Sequence, residues 1–490
     1  MVAANYFGVQ GRINAFTVAF QIPNLVRALV ADSALSSAFV PVFSDLLEKG
    51  ERRRAWRVAS SLFWLMLLGL GALTAIFMLA APLLLRPFHP VDPGLTVGLS
   101  QVLFPIVALL GVSGIIVGIL NCYDEFSVPA LTPVAWNLAI IVGLVIGVPH
   151  AHTGSAKLYV YAASFLVGTV VQVLLPVPWL RGRDDRLRLV IDWHDPVVWR
   201  TLKLMIPVTI SLGLINVNAV VDTFFASRLL DPNLAPAAID KAFRVYMLPQ
   251  GMFAVAVATI LFPTLSRLSA RDDWDGFRET VSLGLRQIAF LLVPASAVIA
   301  VLADPIVRLL YQRGAFTAHQ TTVVAAALIA FTLGLTFNGT MLLLNRSFFS
   351  LQSNWVPTVI ALGNLFVNGV LDAFFYRFGV WGIPLSTSVV NLAGTVALVW
   401  MLRRRLGRLN LGVVLRSLAG VAVASGVAAG VGWVVWDVID GGAGRSFLGQ
   451  LASLLPALAL AGVAYLGACK VLRVRELDAV AGVLRRRSAG

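Results

Sequence analysis

The sequence predicts an all-α protein that crosses a membrane many times and is built from two related helical halves. Of its 490 residues, 58% are hydrophobic and only 13% are charged, whereas soluble domains have about 25% charged residues. Apolar stretches of about 20 residues, the length needed to cross the hydrocarbon core, recur along almost the whole chain. Asn121 and Pro133 recur with the same spacing as Asn345 and Pro357, which indicates a duplication.

Each apolar stretch predicts one membrane span. There are thirteen, at about residues 14–45, 58–85, 98–120, 129–149, 158–180, 202–227, 240–265, 281–310, 320–344, 355–376, 380–402, 411–436 and 448–470. The repeat is too long for a solenoid unit, whose period is a few tens of residues. We therefore interpret it as the duplication of a multi-helix lobe, which is common in transporters.

Lysine and arginine are distributed unequally between alternate loops. One set of loops, together with the C-terminal tail, has 24 of these residues and the other set has 8. Because short cytoplasmic loops are enriched in Lys and Arg, we expect the first set and the C-terminus to face the cytoplasm. The net charge of +14 is spread over membrane-flanking loops, which favours anionic lipid headgroups rather than nucleic acid as partner.

Motifs for enzymatic or metal chemistry are not evident in the sequence. The five histidines have no ligand spacing, and the two cysteines give no disulfide framework. Asp184 and Asp185 could suggest a metal-dependent transferase, but the flanking arginines of RGRDDRLR favour internal salt bridges. We therefore expect no enzyme activity, no cofactor and no metal.

Residues 13–50, INAFTVAFQIPNLVRALVADSALSSAFVPVFSDLLEKG, resemble the signature of the MurJ (MviN) family of lipid II flippases. Segments 120–138, 248–266 and 311–317 add to the resemblance, which weakens after about residue 400. The matching positions in the signature are Ala15, Phe16, Val18, Ala19, Phe20, Pro23, Asn24, Leu25, Arg27, Ala31, Ala38, Phe39, Val40 and Pro41.

The resemblance implies a fourteen-helix exporter of the multidrug/oligosaccharidyl-lipid/polysaccharide superfamily. It implies two six-helix lobes, related by a pseudo-twofold axis around a central cavity, and two additional C-terminal helices. It also implies transport of lipid II, the undecaprenyl-diphosphate-linked peptidoglycan precursor, across the bacterial cytoplasmic membrane. The expected divisions are an N-lobe at 1–185, a C-lobe at 186–405, the additional helices at 406–475 and a basic tail at 476–490.

The family's first helix is expected to precede residue 11, and residues 1–8 are too few to form it. Family members usually place arginines in that helix. An apolar segment with an arginine, encoded in frame upstream of Met1, would confirm this expectation.

Two intramembrane arginines match family positions and are the predicted diphosphate contacts. Arg27 follows Pro23 within a predicted span, and Arg244 lies in the corresponding span of the second half. An arginine fork binds phosphate oxygens in bidentate fashion, and a charge at mid-membrane costs at least about 2.5–3.5 kcal/mol. We expect both side chains to meet in a central cavity. The alternative is a structural arginine that is ion-paired or reaches the membrane surface.

Four further polar residues complete the predicted site. Asn24 lies one helical turn before Arg27 and either orients it, contacts the headgroup or packs between helices. Asp32 replaces a family Glu and either pairs with a cavity arginine or caps a helix break. Asn14 stands where the family usually has Asp, and Asp222 is either an ion or arginine-pairing site or a structural hydrogen-bonding group.

Other charged residues lie nearer to predicted span ends, where anchoring at the membrane interface is favoured. They are Lys203, Arg286, Asp304 and Asp372.

Two other functions remain open on the sequence. One is a related transporter of another polyprenyl-linked saccharide or of a small cation. The other is a membrane scaffold that binds envelope-synthesis proteins without transporting a substrate. In all three cases the expected partners include membrane lipids, and the flippase hypothesis adds the lipid-linked precursor.

Overall fold

The structure is a computed structural model that describes residues 1–30, 34–353, 355–407, 411–474 and 476–477. Within these ranges the chain is almost entirely helical and contains no β-strand. Helices satisfy their own backbone hydrogen bonds, as a chain in lipid must. The predicted all-α class is confirmed.

The described part of the chain contains eighteen α-helices. In the first part they are α1 Val2–Phe7, α2 Ile13–Val30, α3 Ala34–Glu48, α4 Arg52–Leu85, α5 Pro93–Leu103, α6 Pro105–Cys122, α7 Ser127–His150 and α8 Gly154–Leu174. The rest are α9 Pro196–Leu229, α10 Ala235–Pro249, α11 Val255–Ala270, α12 Trp274–Val301, α13 Ala303–Tyr311, α14 Ala318–Ser350, α15 Trp355–Phe375, α16 Gly382–Leu406, α17 Leu411–Ala443 and α18 Phe447–Val471. A π-helical turn, Gln250–Ala254, joins α10 to α11.

Eleven segments of the described chain are long and apolar enough to cross a membrane, so this is a multi-pass membrane protein. The other two predicted spans, 14–45 and 202–227, fall on helices whose residues are only partly described. The prediction of a span at 281–310 is wrong at its end, because α12 stops at Val301 and α13 begins a new, strongly amphipathic helix. Asp304 and Arg308 lie within α13 and interrupt its apolar pattern.

Contacts divide the chain into two compact units. The N-unit comprises residues 9–237, and the C-unit comprises residues 3–8 and 238–490. The predicted boundary between the N-lobe and the C-lobe, after residue 185, is a boundary between the two repeated halves of the sequence. It stays a prediction. The contacts place α9 in the N-unit, because Val198 and Met205 join the buried cluster around Trp56, while Phe224 packs on Phe88.

Within the C-unit, helices α17 and α18 pack against each other and against α12. The Tyr465 hydroxyl donates to the Phe290 carbonyl at 2.6 Å. Beyond α18, the Glu476 carboxylate lies 3.1 Å from the Arg286 guanidinium, and the two side chains are only 4% and 16% exposed. The prediction that Arg286 anchors at the membrane interface is therefore wrong, because this arginine is ion-paired inside the protein.

Candidate functional site

Arg27 lies in the last turn of α2, four residues after the buried Pro23. The Asn24 side-chain oxygen accepts two hydrogen bonds from the Arg27 guanidinium, from Nε at 3.2 Å and from Nη2 at 3.0 Å. The guanidinium is thus oriented by a residue of its own helix. Orienting Arg27 is one of the three roles that the sequence left open for Asn24.

The described part of α2 extends to Val30, and α3 is described from Ala34. Both helices fall in the stretch predicted as one span at 14–45, which stays a prediction. Asp32, the other candidate in this stretch, lies outside the described residues.

Arg244 lies in α10 and forms a bidentate ion pair with Asp240 one turn earlier. Its Nε lies 2.9 Å from Asp240 Oδ2, and its Nη2 lies 3.1 Å from Oδ1. Lys241 Nζ lies 3.3 Å from the same carboxylate. The Arg244 side chain is 56% exposed, whereas those of Asp240 and Lys241 are 22% and 13% exposed. The arginine is therefore accessible although it is paired.

Asn14 is buried and bonds to the backbone of two segments. Its Nδ2 faces the carbonyl oxygens of Val9, Gly11 and Asn233 at 3.0, 3.1 and 2.5 Å. Its Oδ1 accepts from the Ala237 amide at 2.8 Å. These partners fix which end of the amide is nitrogen and tie the start of α2 to the start of α10. The Asn14 amide is thus engaged with backbone, and a contact between Asn14 and the headgroup stays a prediction.

Asp222 lies in α9 and is 8% exposed. Asn218, one turn earlier, approaches the Asp222 carboxylate with Nδ2 at 3.4 and 3.5 Å. These distances are at the long end for hydrogen bonds. The contact agrees with the structural alternative, and an ion or arginine-pairing role for Asp222 stays a prediction.

Asp184 and Asp185 both form ion pairs, but only that of Asp185 is internal to RGRDDRLR, as the sequence favoured, whereas the partner of Asp184 is distant in the sequence. Asp185 pairs with Arg188 at 3.0 Å, and Asp184 pairs with Arg52 at 2.5 Å. The Tyr123 hydroxyl donates to Asp184 at 2.7 Å. Burial, with this hydrogen bond, raises the pKa of Tyr123 to about 12, so the hydroxyl stays protonated at physiological pH. Among the described residues, no group of three or more acidic, His or Cys residues could hold a metal ion.

The family model named Lipid II flippase MurJ matches residues 3–450. The chain belongs to this family. A probable lipid II flippase MurJ from Synechocystis sp. is 32% identical over 459 residues, which cover 90% of this chain and 85% of that protein. The lipid II flippase MurJ of Burkholderia cenocepacia is 30% identical over 423 residues, which cover 82% and 79%.

Two solved structures have a similar fold. A lipid II flippase MurJ in an inward closed conformation gives a TM-score of 0.75 at 24% identity, with 94% of each chain covered. An inward-facing MATE family transporter of the MOP superfamily gives 0.71 at 17% identity, with 80% of this chain and 90% of that chain covered. The chain therefore has the helical fold of these two transporters, as the MurJ resemblance implied.

Sequence reasoning missed the partner of Arg244 in this MurJ-family chain. Asp240 stands four residues before Arg244, the spacing at which opposite charges meet on a helix face. That spacing was a usable signal. Asp240 also stands in the second half where Asn14 stands in the first. Asn14 lies nine positions before the proline of Pro23-Asn24, and Asp240 lies nine positions before the proline of Pro249-Gln250.

The prediction that Asp372 anchors at the membrane interface is wrong. Its side chain is fully buried, and its carboxylate accepts hydrogen bonds from Asn368 Nδ2 at 3.0 Å and from the Ser386 hydroxyl. Asn368 and Asp372 are one helical turn apart in α15, so their spacing could have indicated the pair. The contribution of Ser386, from the next helix, could not have been read from the sequence. Asp304 and Lys203 are exposed, in keeping with an interfacial position.

Proposed function

We propose that this protein moves lipid II from the inner to the outer leaflet of the cytoplasmic membrane. Its membership in the MurJ family supports the proposal, as do the names of its curated relatives. The observation on which it depends most is the oriented Arg27 guanidinium, held by Asn24 in an apolar helix that contains Pro23.

Lipid II joins a sugar–peptide headgroup to a long polyprenyl chain through a diphosphate. A carrier must therefore stabilise phosphate charges while the polyprenyl chain stays in lipid. Arginine serves this purpose because its planar fork matches phosphate oxygens and remains protonated. Each unit contributes one such residue, Arg27 in the N-unit and Arg244 in the C-unit. Their meeting in one central cavity stays a prediction.

The proposed mechanism is alternating access, in which the arginines are exposed first to the cytoplasm and then to the outside. The arginine-rich loops, such as 46–57 and 181–200, then face the cytoplasm, in accordance with their charge. An inside-negative potential favours outward movement of the diphosphate, because one charge crossing the full field gains about 2.3 kcal/mol per 100 mV.

Complementation of a bacterium depleted of its own flippase tests the proposal. The 490-residue chain should restore growth and the appearance of lipid II on the outer leaflet. Arg27→Ala and Arg244→Ala should abolish both, and Arg27→Lys should restore little, because lysine lacks the bidentate fork. Arg267→Ala is the matched control, since Arg267 is an exposed arginine at the end of α11, and it should complement fully.

Expression in the membrane is measured for each variant. Growth rescue by both arginine variants at normal expression would refute the assigned roles and favour a scaffold. If the unaltered chain moves an undecaprenyl-linked saccharide but not lipid II, the related-transporter alternative is correct.

A further inference from the structure

We infer that Asp240 is an internal counter-ion that occupies the Arg244 and Lys241 cations and competes with the diphosphate of the substrate for them. The inference rests on the proposed function in that it takes a polyprenyl diphosphate as the ligand. It adds a residue that sets how tightly the C-unit holds this ligand and how readily it releases it.

The geometry of the cluster formed by Asp240, Lys241 and Arg244 supports competition between the Asp240 carboxylate and the diphosphate. Asp240 uses both carboxylate oxygens on the Nε–Nη2 edge of the Arg244 guanidinium. A phosphate that binds this edge in bidentate fashion needs the same donors. Because the Arg244 side chain is 56% exposed while Asp240 is 22% exposed, an incoming anion can reach the guanidinium from the exposed side and displace the carboxylate.

The charges of the cluster give the competition its direction. Asp240, Lys241 and Arg244 together have a net charge of +1. Without Asp240 the charge would be +2, and a diphosphate with two negative charges would be fully compensated. In surroundings of low dielectric constant, such a change alters binding strongly. Asp240 therefore weakens binding in exchange for faster release, and it keeps two neighbouring cations from repelling each other while no substrate is bound.

The position in the first half that corresponds to Asp240 holds no carboxylate. The residue there is Asn14, which is neutral and bonded to backbone. The Arg27 guanidinium donates to Asn24 on its own helix, so of the two partners Asn24 and Asp240 only Asp240 is charged.

Binding to the purified full-length protein in nanodiscs tests the inference. The ligands are fluorescent undecaprenyl diphosphate and, as the uncharged reference, undecaprenol. Asp240→Asn should lower the Kd for the diphosphate about ten-fold, as expected for one charged hydrogen-bonding competitor, and leave the Kd for undecaprenol unchanged. Transport should show a lower KM and a lower kcat. Asp240→Glu retains the charge and should stay near the unaltered protein.

Asp45→Asn is the matched control, because Asp45 forms an (i, i+4) ion pair with Lys49 at 2.7 Å at the exposed end of α3. It should change neither Kd. If Asp240→Asn reduces the folded fraction, the double variant Asp240→Asn with Lys241→Gln restores the net charge of +1. The double variant should bind the diphosphate more tightly than the unaltered protein, because Arg244 has lost its competitor.

Unchanged or weaker diphosphate binding in these variants would overturn the inference. The same tightening for undecaprenol would also overturn it, since the effect would not depend on charge. Failure of the proposed function is a separate result: a chain that cannot move lipid II, yet binds the diphosphate more tightly after Asp240→Asn, refutes the flippase and supports the counter-ion.

Discussion

Helices α2 and α10 occupy corresponding places in the two halves, yet they use the same proline and amide pair differently. In α2, Asn24 follows Pro23 and binds the Arg27 guanidinium on its own helix. Directly after α10, Gln250 follows Pro249 as the first residue of the π-helical turn and donates to Asn338 of α14 at 2.8 Å. The first amide therefore orients a cation, and the second fastens one helix to another. Duplication preserved the proline, which disturbs the helix, while the neighbouring polar residue acquired a new partner.

Helices α7 and α15 differ in a related way. Counted from Pro133 and Pro357, Leu144 and Val148 take the places of Asn368 and Asp372. All four side chains are buried. One half thus has two apolar side chains where the other has a hydrogen-bonded polar pair. The same helix position is filled by either pair, provided that both residues of the pair are apolar or both are polar.

Replacing one member of the polar pair should have the largest effect on stability. Asp372→Val removes the carboxylate that accepts from Asn368 and Ser386. It should lower the free energy of unfolding by about 3 kcal/mol, because a buried polar group loses its partner. Thermal unfolding in detergent measures the change.

The double variant Asn368→Leu with Asp372→Val is the control, because it imports the apolar pair of the first half. It should recover most of the loss, since replacing both partners is close to neutral. A double variant as unstable as the single one would show that the two halves are not interchangeable at this position.

Asn14→Asp restores the residue usual in the family and gives the first half the carboxylate that the second half has at Asp240. Here it should destabilise the protein by about 2 kcal/mol, because an ionised oxygen would replace the Nδ2 donor facing three carbonyl groups. Protonation would restore one donor, so the loss should be smaller at pH 5 than at pH 8. An equal loss at both values would argue against this explanation.

Truncating the amide side chains of Asn24 and Gln250 should distinguish their roles. Its effects should be smaller than those of the preceding substitutions. Asn24→Ala should reduce lipid II transport about ten-fold, or about 1.4 kcal/mol, because it removes the oxygen that orients Arg27. Gln250→Ala should leave transport within about two-fold and lower the free energy of unfolding by about 1 kcal/mol. Transport rates and unfolding temperatures are measured for both. The reverse pattern would contradict the distinction between α2 and α10.

Much of the fold could be predicted because a span needs only enough apolar residues in a row. That condition located the eleven segments that the structure describes as long and apolar enough to cross a membrane. It failed for the end of α12 at Val301, where α13 is still apolar on one face. It also failed for Asp372, because hydropathy does not distinguish the lipid-facing side of a helix from the side that packs against other helices.

The candidate site was predictable in part for a similar reason. Arg27 and Arg244 are conspicuous because charges are rare in apolar helices. The contact of Asn24 with Arg27 and that of Asp240 with Arg244 follow helical spacing. The backbone contacts of Asn14 with Asn233 and Ala237 could not be predicted, since they join segments far apart in the sequence.

The sequence by itself determined that this chain crosses a membrane repeatedly, that it arose by duplication and that it resembles the MurJ family. Hydrophobicity and repeated sequence motifs are properties of a short window of residues, so they can be recognised without knowing how the helices pack. The tertiary structure decided which partner each buried group meets: the Glu476 carboxylate for Arg286 and the Ser386 hydroxyl for Asp372. A buried charge or polar group is stable only beside a partner, and distant partners become neighbours only when the helices pack.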